Sequence, residues 1–245
     1  MRHAALVSIL AGVVCAASSA HPLRGQEAGG YGGVRSFGFS SSYSPDSSRI
    51  LIGDSGHRRI WTLGAEYTHL LHQTQRLRLD YEGSLMPLFE ETDPTVIGTV
   101  FTSNGQAIVT PQSPVRVITT TNQPVGSVLT GSGMVPLYAL FGREDTYAAA
   151  FAPLGVRATA LPRSRLQPSF ALDLGFVVSA RNIPIDQGTQ FNYMFAVGPG
   201  VQFFADRYTS WRVEYIFRHV SNAGQGIQNP GIDQGVVRVT VSLHR

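Results

Sequence analysis

The feature that most constrains this chain is a two-residue alternation of apolar and polar side chains. It is clearest between Pro168 and Ala180, where large apolar residues occupy every second position. Successive side chains of a β-strand point to opposite faces of the sheet, so this segment is predicted to be a strand with one apolar face. The apolar positions are Phe170, Leu172, Leu174, Phe176 and Val178.

The same alternation recurs and predicts eight strands. Two segments, at about 34–43 and 145–158, show it more weakly than the others. No internal repeat and no second domain are evident, and 245 residues suit one all-β domain. The stronger segments are 59–71, 76–89, 168–180, 190–204, 211–221 and 235–243.

The polar face of these strands carries charges of both signs, such as Glu66, Arg78 and Glu214. In a soluble sandwich these charges would face water, whereas in a membrane barrel they pair inside and the apolar face contacts lipid. The strands are about ten residues long or more, as a tilted membrane strand requires. We therefore predict an all-β fold, an eight-stranded antiparallel transmembrane β-barrel, with a soluble secreted sandwich as the alternative.

Residues 1–20 are predicted to be a secretory signal peptide. Arg2 and His3 form a basic start, residues 4–17 are apolar, and residues 18–20 are small, as at a cleavage site. A short buried helix is the alternative. Export in this form is consistent with a bacterial outer-membrane location.

The rest of the chain is predicted to be a flexible lead-in, residues 21–34, and a barrel domain, residues 35–245. The only cysteine, Cys15, lies in the signal segment, so a thiol nucleophile is not expected in the mature chain. Charged residues make up only 14%, and the basic ones are dispersed arginines, so no nucleic-acid partner is expected. The histidines have no ligand spacing, so neither a metal nor another cofactor is predicted.

The connections between the predicted strands differ in length. In outer-membrane barrels short turns face the periplasm and longer loops face outward, so both termini are predicted to be periplasmic. The segment 90–143 is predicted to be a long loop or an extension of the strands. The short connections are 72–75, 159–164 and 205–208, and the mostly longer ones are 44–57, 90–143, 181–189 and 222–233.

One constellation near the C-terminus can carry chemistry. His219 and Ser221 are two residues apart on a predicted strand, so their side chains share a face about 6.5–7 Å apart at Cα. A serine hydroxyl becomes nucleophilic when a base takes its proton, and a third group can orient that base. Asp233, which begins the next strand, is the candidate third group. By parity all three lie on the lipid-facing side, at the outer end of their strands.

These residues also carry a family resemblance. The run from His219 to Gly224, followed by Asn229 to Asp233, resembles the lipid A 3-O-deacylase family, often labelled acyloxyacyl hydrolases. Three further stretches, and the dipeptide Gln167-Pro168, contribute to the likeness, which does not include 90–143. The stretches are Leu63–Tyr67, Pro153–Arg157 and Phe191–Tyr193.

The resemblance implies an eight-stranded barrel with a Ser-His-acid triad on its outer face. Ser221 would then be the nucleophile and His219 the base, with Asn222 and a backbone N–H near Gly224 stabilising the oxyanion. Members of the family have Glu where this chain has Asp233, which is one methylene shorter. The expected activity is hydrolysis of an ester-linked 3-hydroxyacyl chain.

The partner implied is lipid A, or lipopolysaccharide, in the outer leaflet; a homodimer is left open. Two alternatives remain for the activity. His219 and Ser221 can be polar rim residues of a non-catalytic barrel with a structural or surface-interaction role. A pore is the weaker alternative, because side chains fill an eight-stranded interior.

Overall fold

The computed structural model describes residues 31–131 and 133–245, which form ten β-strands and contain no helix able to cross a membrane. The predicted signal peptide and most of the predicted lead-in lie outside the described residues. The strands are β1 (Arg35–Ser44), β2 (Arg59–Gln73), β3 (Leu77–Ser103), β4 (Gln106–Arg116), β5 (Gly126–Thr130), β6 (Gly133–Ala160), β7 (Leu166–Ile183), β8 (Thr189–Phe204), β9 (Thr209–Ser221) and β10 (Ile232–His244).

Eight of these strands close into an antiparallel ring. The order around it is β1, β2, β3, β6, β7, β8, β9 and β10, and β10 returns to pair with β1. A closed ring hydrogen-bonds its backbone groups internally, which is the condition for a sheet to span a bilayer. The prediction of an eight-stranded antiparallel barrel is confirmed.

The segment 90–143 continues two strands of the ring beyond the barrel. β3 and β6 remain paired as far as Val100 and Tyr138. β4 folds back on β3 and β5 folds back on β6, giving a four-stranded extension at one end of the molecule. Of the two forms predicted for this segment, strand extension therefore accounts for most of it.

The two faces of the barrel have the predicted inverted polarity. Charged and polar residues point inward and are buried, whereas large apolar residues are exposed on the outside. This arrangement suits a barrel surrounded by lipid. Exposed examples are Phe37, Phe39, Leu172, Leu174, Val213, Tyr215 and Val237, and buried charged examples are Glu66, Glu82, Arg157, Asp173, Arg212, Glu214 and Arg238.

The buried charges pair with one another across the interior. Arg157 donates to Glu82 over 2.7 Å and to Glu214 over 2.5 Å, and Arg238 donates to Glu214 over 2.6 Å. Arg212 contacts Glu66 in the same way. Because a buried charge is tolerated only when it is paired, this network explains how arginines and acids fill a narrow lumen.

An apolar layer lies above this network, towards the extension. It is a cluster of fully or nearly fully buried side chains contributed by seven of the eight ring strands. The lumen is therefore packed with side chains at two levels. The larger members of the layer are Ile60, Met86, Phe89, Val177, Ile183, Met194, Val220 and Ile232.

The two ends of the barrel differ as expected. One end carries both the C-terminus and the short turns 74–76, 161–165 and 205–208. Tyr31 packs on Phe204 at this end, with ring centroids 5.3 Å apart. The opposite end carries the extension and the connections 45–58, 184–188 and 222–231; of these, 184–188 has only five residues because β7 runs on to Ile183.

Candidate functional site

The candidate site lies where β9 and β10 emerge at the end opposite the short turns. His219 and Asp233 are directly opposed partners in the β9–β10 ladder. Opposed residues point to the same face of a sheet, so the two side chains meet outside the barrel wall. His219 Nδ1 lies 2.6 Å from Asp233 Oδ1. The Asp233 side chain, one methylene shorter than that of Glu, therefore reaches the histidine directly.

The other carboxylate oxygen of Asp233 is held by the β1–β2 connection. Oδ2 accepts hydrogen bonds from the backbone N–H groups of Leu51 over 2.6 Å and of Ile52 over 2.9 Å. The Gly53 N–H also donates to this carboxylate. Hydrogen bonds from backbone N–H groups stabilise a carboxylate in its charged form. Asp233 is completely buried as a result, although its parity places it on the outward face.

This connection docks on the site through its backbone as well. Asp54 donates to the carbonyl of Pro230 over 2.5 Å, and Ser55 donates to that of Gly231 over 3.1 Å. This contact was not predictable from the sequence, because nothing in residues 45–58 marks them as neighbours of a residue about 180 positions away. The outward-facing position of the site residues was predicted from their parity, whereas the loop backbone that covers Asp233 was not predicted.

His219 is enclosed from two further sides. Its ring lies 5.4 Å from that of Phe195 on β8. Gly231 has a φ of +60°, and a Cβ added to it would lie 3.0 Å from His219 Cε1. The histidine is only 6% exposed, and a side chain at position 231 would crowd it.

Ser221 lies one step further along the same face of β9. It is half-buried and opposes Tyr193 on β8. In the part of the chain that the structure describes, its hydroxyl makes no hydrogen bond to His219 or to any other residue. The structure thus brings together His219 and Asp233, and it places Ser221 beside them with an uncommitted hydroxyl.

The two residues predicted to stabilise an oxyanion are engaged within their own loop. The Asn222 side chain donates to the carbonyl of Gln228 over 2.9 Å and accepts from the Gly224 N–H over 2.9 Å. Asn229 Oδ1 accepts from the Asn222 N–H over 3.0 Å. These bonds give the 222–231 loop a fixed shape, and they occupy the Asn222 amide and the Gly224 N–H in this conformation.

Among residues 31–131 and 133–245, no group of three histidine, cysteine or acidic side chains is placed to hold a metal ion. What the arrangement offers chemically is a histidine oriented by a buried carboxylate, with a serine on the same face. In a serine hydrolase a carboxylate orients the histidine and the serine hydroxyl bonds to the other ring nitrogen; the first of these two contacts is present here.

Fold and site together define an outer-membrane β-barrel with a histidine–carboxylate pair on its outward face. A family model described as lipid A 3-O-deacylase (PagL) matches residues 118–242, slightly more than half of the chain. The chain belongs to this family, and it is an outer-membrane protein. Membership places it among the lipid A deacylases and confirms the resemblance stated above.

The matched range contains the whole of β9 and nearly all of β10, with the loop between them. It also takes in the second part of the 90–143 segment, which the resemblance had left out, and it does not extend to Leu63–Tyr67. A search of curated protein sequences gives no significant match.

Solved structures of outer-membrane proteins are similar to the chain in fold. The outer membrane enzyme PagL is 14% identical with a TM-score of 0.49, over 85% of this chain and 99% of that one. Neisserial surface protein A is 9% identical with a TM-score of 0.43, over 86% and 97%. OprG from Pseudomonas aeruginosa is 12% identical with a TM-score of 0.41, over 88% and 99%. At these values the likeness carries no functional argument.

Proposed function

We propose that this protein is an outer-membrane esterase that hydrolyses an ester-linked 3-hydroxyacyl chain of lipid A by a Ser-His-acid mechanism. The family match supports lipid A as the substrate class. The observation that carries the mechanism is the 2.6 Å contact between His219 and a completely buried Asp233, with Ser221 two residues from His219 on the same strand face.

The Asp233 carboxylate has the role of orienting the base. With its proton on Nδ1, His219 donates to Asp233 and keeps Nε2 unprotonated. A carboxylate in this position also stabilises the imidazolium that forms when Nε2 takes a proton. The hydrogen bonds from the 51–53 backbone keep the carboxylate charged and in place.

The reaction then follows as two acyl transfers. Ser221 Oγ attacks the ester carbonyl carbon while His219 Nε2 takes the hydroxyl proton, and His219 returns that proton to the sugar oxygen as it leaves. Water next attacks the acyl-serine and gives its proton to His219, and Ser221 Oγ leaves with that proton. The products are a 3-hydroxy fatty acid and lipid A with a free hydroxyl group.

Stabilisation of the oxyanion requires N–H donors beside Ser221. Asn222 and Gly224 remain the proposed donors, and they would have to exchange their present partners when substrate binds. Asn229 is a further candidate, since its Oδ1 is fixed by Asn222 while its amide nitrogen makes no hydrogen bond among the described residues. A hole of this kind contributes about a hundredfold or more to kcat.

Replacement of the nucleophile tests the proposal. Lipid A from cells expressing the wild type is expected to lose one 3-hydroxyacyl chain by mass spectrometry, and cells expressing Ser221→Ala are expected to retain it. Ser210→Ala is the matched control, because Ser210 also lies close to a histidine, 2.7 Å from His244, but inside the barrel at the short-turn end.

A serine-directed fluorophosphonate provides the second measurement. Labelling is expected on the wild type and on Ser210→Ala, and not on Ser221→Ala. Unchanged lipid A in cells that contain folded wild type, tested across several acylation patterns, would favour the non-catalytic barrel instead. The homodimer left open above remains a prediction.

A further inference from the structure

The β1–β2 connection carries three consecutive apolar residues beside the site. Ile50, Leu51 and Ile52 are 46%, 72% and 63% exposed, and we call them the apolar tip. Exposing apolar side chains to water costs about 25 cal/mol per Å². Three such residues in sequence therefore call for an apolar partner.

The backbone of the apolar tip holds the candidate acid. The Leu51 and Ile52 N–H groups donate to Asp233 Oδ2, so the peptide groups face the carboxylate while the side chains remain exposed. Arg49 and Asp54 flank the tip and pair over 3.0 Å. This ion pair closes the base of the tip and separates its apolar residues from the rest of the connection.

The position of the apolar tip indicates what covers it. Asp233 lies on the outward face of β10, and the exposed Val237 follows on the same face. The tip is therefore continuous with the apolar surface of the barrel wall, which contacts lipid. A short apolar segment bounded by charges matches the boundary between headgroups and acyl chains.

We propose that the apolar tip inserts among the acyl chains of the outer leaflet and, through its backbone, positions Asp233 for catalysis. Lipid contact immobilises the side chains of Ile50, Leu51 and Ile52, and the peptide groups between them then hold the carboxylate against His219. The tip is a positioning element, since it acts on the reaction through Asp233. The positioning role rests on the proposed esterase function, whereas the insertion does not.

Insertion is tested with a tryptophan as a depth probe, in a variant that is expected not to hydrolyse its substrate. Ile52→Trp in a Ser221→Ala background is reconstituted in vesicles of phosphatidylcholine brominated on its acyl chains. The fluorescence added by the new tryptophan, relative to the background protein, is expected to be quenched at least twofold. Leu129→Trp is the matched control, because Leu129 is at least as exposed, at 74%, but lies on β5 of the extension. Quenching in the Ile52→Trp protein no stronger than in the Leu129→Trp protein would overturn the insertion.

Positioning is tested by the effect of tip polarity on each kinetic constant. Replacing Ile50, Leu51 and Ile52 by serine keeps every backbone N–H and is expected to lower kcat for lipid A in vesicles about tenfold, with KM changed less than about threefold. The conservative replacement Ile50→Leu, Leu51→Ile, Ile52→Leu is expected to retain wild-type kcat. An effect confined to KM would overturn the positioning role and identify a substrate-binding surface.

The two measurements distinguish the failure of this proposal from the failure of the proposed function. If the wild type has no deacylase activity, the bromolipid experiment still decides whether the apolar tip enters the bilayer. The folded state of every variant is checked by its shift in electrophoretic mobility upon heating. If the fluorescence of the tryptophan at position 52 is quenched but the wild type has no deacylase activity, the insertion is supported. The positioning role and the esterase function are then both contradicted.

Discussion

At the scale of single residues, Asp233 occupies the position where the resemblance implies Glu, and both of its carboxylate oxygens are engaged. His219 lies against one oxygen, and the backbone N–H groups of Leu51 and Ile52 donate to the other. We infer that direct cross-strand pairing and the loop that closes over the acid compensate for the shorter side chain.

The first prediction is that Asp233→Glu lowers activity instead of restoring a family-like site. Gly53 approaches the carboxylate so closely that a Cβ on it would lie 2.8 Å from Asp233 Oδ1, so a longer side chain at position 233 has little room. We expect kcat to fall about tenfold, measured by release of fatty acid from purified lipid A. Activity equal to or above that of the wild type would show that the loop accommodates the longer acid.

Asp233→Asn separates charge from shape at the same position. The amide keeps the size of the carboxylate, but it has no negative charge to stabilise the His219 imidazolium and does not enforce the tautomer with the proton on Nδ1. We therefore expect kcat to fall between about a hundredfold and ten-thousandfold. The fold should persist, as measured by heat-modifiable mobility. Unfolding of this variant would instead assign Asp233 a mainly structural role.

The second prediction compares two glycines of the β9–β10 loop that both have positive φ. Gly231→Ala introduces a Cβ 3.0 Å from His219 Cε1, whereas Gly224→Ala meets no atom within 4 Å. Both substitutions carry a backbone cost of about 1 kcal/mol. Because alanine keeps the Gly224 N–H that is proposed as an oxyanion donor, only Gly231→Ala is expected to reduce deacylation strongly, by about tenfold in the mass-spectrometric assay. Equal losses for the two would mean that contact with His219 is not what limits activity, and that backbone strain or a displaced Gly224 N–H is.

At the scale of elements, the hairpin of β9 and β10 supplies all three proposed triad residues, and the four-stranded extension lies on the far side of the ring. The extension grows from β3 and β6, which are three or more places away from the β9–β10 boundary in either direction around the ring. Its strands β4 and β5 pair only with β3 and β6. The paired strands of the extension are thus three places away from the site around the ring. The segment that follows β4 contacts the β1–β2 connection, where Gly56 donates to the Ile118 carbonyl over 2.9 Å.

The third prediction follows from this separation. Replacing residues 100–109 by Asn-Gly shortens the β3–β4 hairpin at the Thr99–Thr110 pair with a two-residue turn suited to hairpins. Residues 115–118, whose carbonyls include two that hold Arg58, remain in place. Lipid A deacylation in cells is expected to stay within about twofold of wild type. A large loss, with normal amounts of folded protein, would indicate that the extension contacts the substrate.

The sequence allowed the ring strands to be predicted, because alternation survives wherever one face is lipid and the other is a polar lumen. The segment 168–180, for example, lies within β7. The strand predicted at 76–89, however, ends too early, because β3 continues to Ser103. Glu90, Glu91 and Asp93 interrupt the apolar pattern, and the strand continues because it pairs with an equally long β6. Pairing between strands that are about 50 residues apart has no local signature.

The candidate site was predictable only in part for the same reason. His219 and Asp233 lie on one hairpin, so parity and turn length brought them together. The backbone donors at Leu51 and Ile52 come from the other end of the chain. Because almost every residue has a backbone N–H group, such a donor cannot be recognised from the amino-acid sequence. The occupied state of Asn222 and Gly224 likewise depends on the fold of the 222–231 loop.

At the scale of the whole molecule, the lumen is closed at two levels. The charged network around Arg157 fills the middle, and the apolar layer that includes Phe89 fills the space above it. Arg218 lies between these levels, with its guanidinium 5.9 Å from the Phe89 ring centroid. Eight-stranded barrels have interiors that side chains can fill, and this one follows the rule.

The fourth prediction is that the protein does not form a pore. Purified protein reconstituted in a planar bilayer at about 100 mV is expected to give a current indistinguishable from that of the protein-free membrane. A trimeric porin in the same chamber serves as the positive control. Stable unitary conductance steps would contradict the packed lumen and revive the pore alternative.

The contact between Asp233 and the apolar tip has a consequence for biogenesis. The donors belong to the connection after the first strand and the acceptor to the last strand, with a sequence separation of 182 between Leu51 and Asp233. They are brought together by the β1–β10 pair, which closes the ring. A chain still in transit through the periplasm would lack the complete set of donors to its acid, and the onset of hydrolysis would therefore report that assembly is complete.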